Sequence, residues 1–349
     1  MKFKIGRVKF DQNNVVVIAE AGVNHNNSLK IAKKLIRAAK NAGANIIKFQ
    51  TYKAEKLVSR KAPRFWNWSG EVKQKGTQYD SYKRLDKFGF EEYRKLKKLC
   101  DKYEIEFMST PFDNESADML QKIGVKGFKV ASCDITNYLL LKHLAKKKLP
   151  LLLSTGASNI KDISNALKII KRNGNPPVCV MHCTLCYPTD PKDVNMFAIK
   201  DISKRFPNNL LGLSDHTLGN LFAPSSVLLG VRVIEKHFTI NKKLKKSADH
   251  WLSVDEKELS QLVRNSKNIL NSIGIEKKIK LNCENSTYKF ARRSIVAKKY
   301  IKKGQIIREK DLICKRPGTG LPASKVFSII GKRAKKIINE DEFLTSKDF

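Results

Sequence analysis

Short apolar runs recur along the first 240 or so residues and alternate with segments of helical periodicity. Each run is leucine-rich or β-branched and continuous, which is typical of parallel strands covered on both faces. The runs are VVVIAE (15–20), NIIKF (45–49), IEFMS (105–109), GFKVA (127–131), LPLLLS (149–154), VCVMH (178–182), LLGLS (210–214) and VRVIEKH (231–237). We therefore predict eight strands.

Amphipathic helices are predicted between these strands. In the first of them Ser28 can act as the N-cap, apolar residues recur on one face, and Gly43 ends the pattern. Eight strand–helix units over this length predict an α/β fold of the (β/α)₈ TIM-barrel type. A doubly wound open sheet is the alternative, but no G-x-G-x-x-G motif follows the first strand.

The chain changes character after the barrel pattern ends. A last helix is predicted within 255–274, so that residues 1–274 form the barrel. Residues 275–290 are polar and are predicted to be a linker. Residues 291–349 contain short strands and glycine turns, and they predict a small β-rich domain.

One predicted strand-to-helix connection, within residues 51–100, is unusually long. It contains the aromatic residues Trp66, Trp68 and Tyr79 among glycines and lysines. Long insertions at this side of a barrel commonly cover the active site. We expect these aromatic side chains to lie over a substrate.

Polar side chains occur at the carboxyl ends of all eight predicted strands, where a barrel of this type carries its catalytic groups. In chain order they are Glu20, Lys48 with Gln50, Ser109 with Thr110, Lys129 with Ser132, Ser154 with Thr155, His182, Ser214 with Asp215 and His216, and Glu235 with His237. A strand that serves stability alone has no need of such an ending. The pattern therefore indicates an active site.

Lys48 and Lys129 indicate the charge of the ligand. A single lysine at a strand end can extend to solvent as a surface residue. Two lysines that converge from separate strands beside serine and threonine hydroxyls favour an anion that carries phosphate and carboxylate groups.

His216 and His237 follow the last two predicted strands, so that both imidazoles can reach one metal ion. A lone histidine at such a position is more often a hydrogen-bonded packing residue. Two of them beside carboxylates favour a divalent Lewis-acid metal with open coordination positions, rather than structural zinc with four protein ligands.

Composition narrows the class of protein. The chain has 349 residues, 41% of them hydrophobic, and a formal charge of +36. Its lysines are spread along the chain instead of being clustered, which favours a lysine-rich surface that steers anions over a nucleic-acid partner. We expect no membrane partner and a cytoplasmic location, because neither a signal peptide nor a long apolar run is present.

The cysteines are odd in number, seven, and their spacing suggests no disulfide framework, which fits a reducing compartment. Cys183 and Cys186 form a C-x-x-C pair that a metal or redox site could use. No second pair accompanies it, so free thiols on a loop are the favoured interpretation.

Taken together, the strand ends resemble one known family. The segments IAEAGVNHNNSLKIAKKLI, IIKFQT, MSTPFD, FKVAS, LLSTGAS, HCT followed by YPT, GLSDHT and EKHFT are similar to motifs of the sialic acid synthases, which are phosphoenolpyruvate-dependent nonulosonic acid synthases. RRSIVA, IKKGQII and KRPGTG are similar to the family's antifreeze-like (SAF, β-clip) domain. The resemblance covers nearly the whole chain.

The resemblance implies a role for each site residue. The residues that match phosphoenolpyruvate-binding positions are Lys48, Thr110, Lys129, Ser132, Ser154 and Ser214. Those that match positions at the amino sugar or the reacting centre are Glu20, Gln50, Tyr187 and Asp249, with Glu20, Glu235 and Asp249 as the catalytic candidates. His216 and His237 match the metal ligands, most often for Mn²⁺, with Mg²⁺ or Co²⁺ as alternatives. Arg316 matches an arginine that reaches the N-acyl group from the partner chain of a domain-swapped homodimer.

The chain departs from the family pattern at two positions. Asn27 stands where glycine is usual, and since asparagine tolerates a left-handed backbone, the turn is expected to survive. Leu185 stands where some members have an asparagine that contacts phosphoenolpyruvate, so one donor is lost.

Two other functions stay open from the sequence. One is a phosphoenolpyruvate-aldol synthase of the 3-deoxy-octulosonate phosphate type, and the other is a non-catalytic binding protein. The acceptor sugar is also open: N-acetylmannosamine and the diacetamido-trideoxyhexoses that lead to legionaminate or pseudaminate are equally compatible with these motifs.

Overall fold

The computed structural model describes residues 1–66 and 76–349. This described part divides into two compact units, Met1–Gly274 and Ile275–Phe349. The first unit begins with a hairpin of β1 (Phe3–Ile5) and β2 (Val8–Phe10). Its remaining strands are Val16–Gly22 (β3), Ile46–Thr51 (β4), Glu106–Pro111 (β5), Phe128–Val130 (β6), Leu151–Ser154 (β7), Val178–Cys183 (β8), Leu210–Asp215 (β9) and Val231–His237 (β10).

Within the described ranges, β3 to β10 form one eight-stranded parallel sheet in the order β5-β4-β3-β10-β9-β8-β7-β6. The end strands β5 and β6 contact each other, which nearly closes the sheet into a barrel. The predicted (β/α)₈ fold is therefore confirmed. Each predicted strand agrees with an observed one to within two residues at either end.

Helices connect the strands and cover the sheet. They are Leu29–Asn41 (α1), Ala54–Leu57 (α2), Gln78–Lys83 (α3), Phe90–Lys102 (α4), Asn114–Ile123 (α5), Tyr138–Lys146 (α6), Ile160–Arg172 (α7), Ala198–Arg205 (α8), Phe222–Ser225 (α9) and Glu256–Ser272 (α10). As predicted, Ser28 caps α1, since its side chain accepts a hydrogen bond from the Ile31 amide at 3.3 Å. Gly43 follows this helix with a φ of 84°.

Alternate residues of each barrel strand point into the barrel or towards the helices. The inward positions nearest the amino ends are apolar and form their own cluster with the β1–β2 hairpin. That cluster contains Ile5, Val8, Phe10, Val16, Ile18, Ile46, Met108, Leu152, Cys179, Met181, Leu210 and Val233. The hairpin thus fills the amino-terminal end of the barrel, a role that its short, charged sequence did not indicate.

The second unit is a small β-rich domain. β11 (Ser294–Ala297) pairs antiparallel with β12 (Leu312–Lys315), and the short helices α11 (Asn285–Phe290) and α12 (Val326–Ile329) flank them. Its core is built from isoleucine and leucine side chains such as Ile295, Ile307 and Leu344. The predicted linker, 275–290, is exposed throughout and contains α11. In the described part of the chain, no helix is long and apolar enough to cross a membrane.

Candidate active site

A cleft of about 480 Å³ opens at the carboxyl ends of the barrel strands. Four of the strand-end residues that the sequence predicted, Ser109, Thr155, His182 and Asp215, do not line this cleft, because they sit at positions that alternate with the inward-facing ones. The residues of the first unit to which the family resemblance gave a role all line it. They are Glu20, Lys48, Gln50, Thr110, Lys129, Ser132, Ser154, Tyr187, Ser214, His216, Glu235, His237 and Asp249. Arg316 belongs to the second unit, directly after β12, and its predicted role in trans stays a prediction.

Strand alternation explains why these side chains converge. Ile18 and Ile46 point into the barrel, so Glu20 and Lys48, two residues further along β3 and β4, also point inward but lie at the mouth. We refer to the inward-facing polar residues at the carboxyl ends of the strands as the inner floor. They are Glu20, Lys48, Thr110, Lys129, Ser154, Ser214 and Glu235, all of them buried.

Lys48 lies at one side of the inner floor. Its Nζ is 2.8 Å from Glu20 Oε2, 2.8 Å from Thr110 Oγ1 and 3.7 Å from Glu235 Oε2. Gln50 Nε2 donates to the second oxygen of Glu20 at 3.1 Å. The ammonium group is therefore held by strands on both sides of β4.

Lys129 lies on β6 and is held in a similar way. Its Nζ donates to Ser154 Oγ at 2.6 Å and lies 3.6 Å from Glu235 Oε1, which also accepts from Ser214 Oγ at 2.9 Å. The carboxylate of Glu235 thus lies between the two lysines. Two ammonium groups, two carboxylates and several hydroxyls share one buried site.

Burial and mutual charge separate the two carboxylates. Burial raises the pKa of Glu20 to about 7, although Lys48 acts to lower it. Burial acts on Glu235 in the same direction, but Lys129 and Lys48 outweigh it and lower the pKa of Glu235 below the ordinary glutamate value. Near neutral pH, Glu235 is ionised and Glu20 can both accept and release a proton.

The pKa of Glu20 predicts a pH dependence of stability. It rises from 4.5 for an unperturbed glutamate to about 7 in the folded protein, so the folded state binds this proton more tightly than the unfolded chain. The stabilisation is present below pH 4.5 and is lost as the pH rises through 7. Relative to Glu20→Gln, the wild type should lose on the order of 3 kcal/mol of unfolding free energy across this range.

Urea unfolding of both proteins at several pH values between 4.5 and 8 measures this difference. Parallel stability profiles for the wild type and Glu20→Gln would contradict the raised pKa.

The imidazoles of His216 and His237 lie side by side at the mouth, with ring centroids 5.4 Å apart. His216 Nδ1 lies 2.9 Å from the carbonyl oxygen of Thr184 and can only donate to it, so in the neutral ring Nε2 carries the lone pair. Among the described residues His237 Nδ1 is buried without a hydrogen-bond partner, and it lies 3.6 Å from Asp249 Oδ2. Tyr187 packs against both rings.

The state of His237 suits a ligand rather than a charged group. Burial lowers its pKa well below the ordinary histidine value, and His216 adds to this, so the imidazole is neutral. Within residues 1–66 and 76–349, no three His, Cys, Asp or Glu side chains come close enough to hold an ion by themselves. Any metal here would therefore depend on substrate or water for its remaining ligands.

The insertion after β4 forms the outer part of the cleft. Its lining residues there include Tyr52, Trp66, Tyr82, Arg84 and Leu85, which we call the outer wall. Trp66 was predicted to lie over a substrate and does line the cleft.

Two other aromatic residues of the insertion were predicted in the same place. Trp68 falls outside the described residues. The prediction for Tyr79 was wrong: it does not line the cleft, and its ring faces the Arg60 guanidinium at 5.8 Å instead.

The structure describes both positions at which the chain departs from the family pattern. Asn27 has a φ of 60°, so the left-handed turn expected for asparagine is present. Leu185 lines the cleft, where its aliphatic side chain offers no hydrogen bond.

Sequence reasoning missed the functions of the residues beside the histidines. Lys236 and Asp215 point away from the cleft and form a buried ion pair of 2.8 Å between β10 and β9, and Lys236 also donates to the Thr217 carbonyl at 2.6 Å. Cys183, half of the C-x-x-C pair, lies 3.8 Å from His216 Nδ1. The alternation of inward and outward positions could have identified the ion pair; nothing in the sequence indicated the cysteine contact.

Strand-end polar groups gathered at the mouth of a (β/α)₈ barrel are the arrangement of an enzyme of this fold. Comparison with known families specifies which one. A model of the NeuB family matches residues 35–278, and a model of the SAF domain matches residues 292–349. The chain belongs to the NeuB family of sialic acid synthases and carries a C-terminal SAF domain, as its motifs predicted.

Individual relatives agree with this assignment. The chain is 39% identical over 321 residues to the N,N'-diacetyllegionaminic acid synthase of Legionella pneumophila subsp. pneumophila (strain Philadelphia 1). The aligned region covers 91% of this chain and 89% of the Legionella protein. The chain is 33% identical to the N-acetylneuraminate-9-phosphate synthase of Homo sapiens, with 97% and 93% covered. A crystal structure of the N-acetylneuraminic acid (sialic acid) synthetase of Leptospira borgpetersenii serovar Hardjo-bovis, in complex with citrate, superposes with a TM-score of 0.73 at 32% identity, covering 82% of this chain and 95% of that chain. The protein is thus an enzyme of the nonulosonic acid synthase class.

Proposed function

We propose that the enzyme condenses phosphoenolpyruvate with an open-chain N-acylamino sugar and water, giving a nine-carbon 2-keto acid and phosphate. The observation that carries this proposal is the inner floor, where Lys48 and Lys129 lie among hydroxyls in the same cleft as the paired histidines. That set of groups suits a phosphate, a carboxylate and a polarised carbonyl held together.

Phosphoenolpyruvate is assigned to the inner floor. Without a ligand, Glu20 and Glu235 neutralise the lysines through the contacts of 2.8 to 3.7 Å described above. A multiply charged enol phosphate would turn the ammonium groups towards itself, and the hydroxyls of Thr110 and Ser154, already hydrogen-bonded to the lysines, would add donors. Ser132 and Ser214 complete the proposed binding set.

His216 and His237 would hold a divalent metal, Mn²⁺ in our proposal, with Mg²⁺ or Co²⁺ as alternatives. The residues fit such an ion, because the buried Nδ1 of His237 has no hydrogen-bond partner in residues 1–66 and 76–349, and the Thr184 carbonyl places the lone pair of a neutral His216 on Nε2. When bound, the ion supplies Lewis acidity at the aldehyde oxygen of the acceptor.

Carbon 3 of phosphoenolpyruvate would attack the aldehyde carbon, and the cationic character that develops at carbon 2 would be met by water. Cleavage of the C–O bond then releases phosphate. Glu20 is the better placed carboxyl group to take the water proton, because its pKa of about 7 allows both protonation states. Glu235, ionised between the lysines, would stabilise the positive charge at carbon 2.

The acceptor is assigned to the outer part of the cleft, with Gln50, Tyr187 and Asp249 facing it. The aromatic and aliphatic side chains of the outer wall suit the acyl and deoxy groups of such a sugar. The Legionella relative, named as a diacetyllegionaminic acid synthase, supports a diacetamido-trideoxyhexose; N-acetylmannosamine is the alternative.

We further propose a domain-swapped homodimer in which the partner's Arg316 reaches the acyl group, and light scattering that finds a monomer would exclude it.

Phosphate release tests the proposed reaction. Phosphate should appear only when phosphoenolpyruvate, an acylamino sugar and a divalent metal are all present, and mass spectrometry of the product identifies the sugar. A panel should contain free and phosphorylated hexosamines and diacetamido-trideoxyhexoses. Turnover that survives full chelation would exclude the metal role, and turnover confined to non-acylated phosphosugars would favour an octulosonate-type synthase.

Lys129→Met is expected to reduce kcat/KM by about 30-fold to 900-fold, because a contact that strengthens in the transition state contributes about 2–4 kcal/mol. Steady-state phosphate release measures the effect. Lys126→Met, at an exposed position just before the same strand, is the matched control and should retain wild-type activity. Equal activity in all three proteins would remove Lys129 from the phosphoenolpyruvate site.

A further inference from the structure

The turn after β3, which leads into α1, makes hydrogen bonds to the insertion that forms the outer wall. Asn27 adopts a left-handed backbone there, and its side chain reaches across to residues 84–87. Its Nδ2 donates to the Arg84 carbonyl at 2.6 Å, and its Oδ1 accepts from the Lys87 amide at 3.3 Å. The Asn27 carboxamide thus holds both ends of the segment 84–87 by hydrogen bonds.

The same turn supports the segment in a second way. The His25 ring stacks on Phe88 with centroids 4.1 Å apart, and His25 Nδ1 accepts a hydrogen bond from the Asn27 amide at 3.1 Å. His25 fixes the position of the turn, and the Asn27 side chain transmits that position to the backbone of Arg84. Arg84 and Leu85 in turn line the cleft.

We propose that Asn27 is a positioning residue for the acceptor side of the cleft. Its two hydrogen bonds hold Arg84 and Leu85 in the outer wall, whereas the side chains of the inner floor are held by hydrogen bonds and ion pairs among themselves. The residue therefore sets affinity for the acceptor and leaves phosphoenolpyruvate binding unchanged. This assignment of the acceptor side rests on the proposed function.

Asn27→Gly tests the proposal with little risk to the fold. Glycine adopts a φ of 60° at no steric cost, so the substitution removes the two side-chain hydrogen bonds and keeps the turn. We expect KM for the acylamino sugar to rise about tenfold, while KM for phosphoenolpyruvate and kcat change less than about twofold. Asn27→Asp keeps the acceptor for Lys87 but loses the donor to Arg84, and should give an intermediate KM.

Hydrogen–deuterium exchange gives a readout that does not depend on activity. Exchange of residues 81–88, followed by mass spectrometry, should speed up in Asn27→Gly. Asn175→Gly is the matched control, since Asn175 is exposed, has a φ of 51° and precedes β8 at the opposite end of the barrel. It should change neither the exchange of residues 81–88 nor KM.

The outcomes separate this proposal from the proposed function. Faster exchange in an enzyme that turns over no acylamino sugar would leave the anchoring intact and contradict the reaction. Unchanged exchange and KM in Asn27→Gly would overturn the anchoring role itself. Equal increases in both KM values, or a fall in kcat alone, would overturn the restriction to the acceptor side.

Discussion

His237→Ala is expected to reduce kcat/KM for phosphate release by at least about 1,000-fold, because a Lewis acid contributes several kcal/mol at the reacting carbonyl. The imidazole lies beside His216 at the mouth of the barrel, and one of its nitrogens is buried without a hydrogen-bond partner in the part of the chain that the structure describes. Loss of one of the two proposed protein ligands should also weaken metal binding, which the spectrum of free Mn²⁺ in an electron paramagnetic resonance titration measures directly.

His182→Ala provides the matched control. His182 is another buried histidine near a strand end, but it faces away from the cleft and its Nε2 lies 2.9 Å from the Val194 carbonyl. Its removal should lower stability and leave Mn²⁺ affinity unchanged. Wild-type affinity and turnover in His237→Ala would refute the ligand assignment.

Lys236→Met is expected to lower the free energy of unfolding by about 3–5 kcal/mol, since it leaves the carboxylate of Asp215 buried without its cation. The pair is almost completely inaccessible to solvent, and its contact of 2.8 Å joins β9 to β10. These are the strands that lead to His216 and His237. Urea unfolding measures the loss, and the thermal midpoint should fall with it.

Lys257→Met is the matched control, because Lys257 is exposed at the start of α10. It makes the same change of lysine to methionine and should alter the free energy of unfolding by less than about 0.5 kcal/mol. The double variant Lys236→Met with Asp215→Leu removes both charges and should recover part of the loss. A single variant as stable as the wild type would show that the buried pair contributes nothing.

The barrel could be predicted from the sequence because its strands are covered on both faces. A continuous apolar run that ends in a polar residue marks both the strand and its catalytic end, as VRVIEKH does for Glu235 and His237. The short hairpin β1–β2 has no such signal: only Ile5, Val8 and Phe10 are buried, and their role depends on side chains far along the chain.

The electrostatics of the site could not be predicted in the same way. The family resemblance left Glu20 and Glu235, with Asp249, together as catalytic candidates. Glu20 and Glu235 differ because of their positions. Glu235 lies between the ammonium groups of Lys48 and Lys129, whereas Glu20 pairs with Lys48 and accepts a hydrogen bond from the neutral Gln50. Such distances are set by barrel closure, which motif spacing does not contain.

The hairpin at the amino-terminal end of the barrel has a kinetic consequence. In the described part of the chain the hairpin closes the amino-terminal end of the barrel. Small molecules therefore reach the buried lysines through the cleft at the other end, where the aromatic insertion lies. A ligand on the inner floor must then bind before a ligand at the outer wall and leave after it. With phosphoenolpyruvate on the inner floor, as proposed above, we expect sequential ordered kinetics in which the enol phosphate binds first.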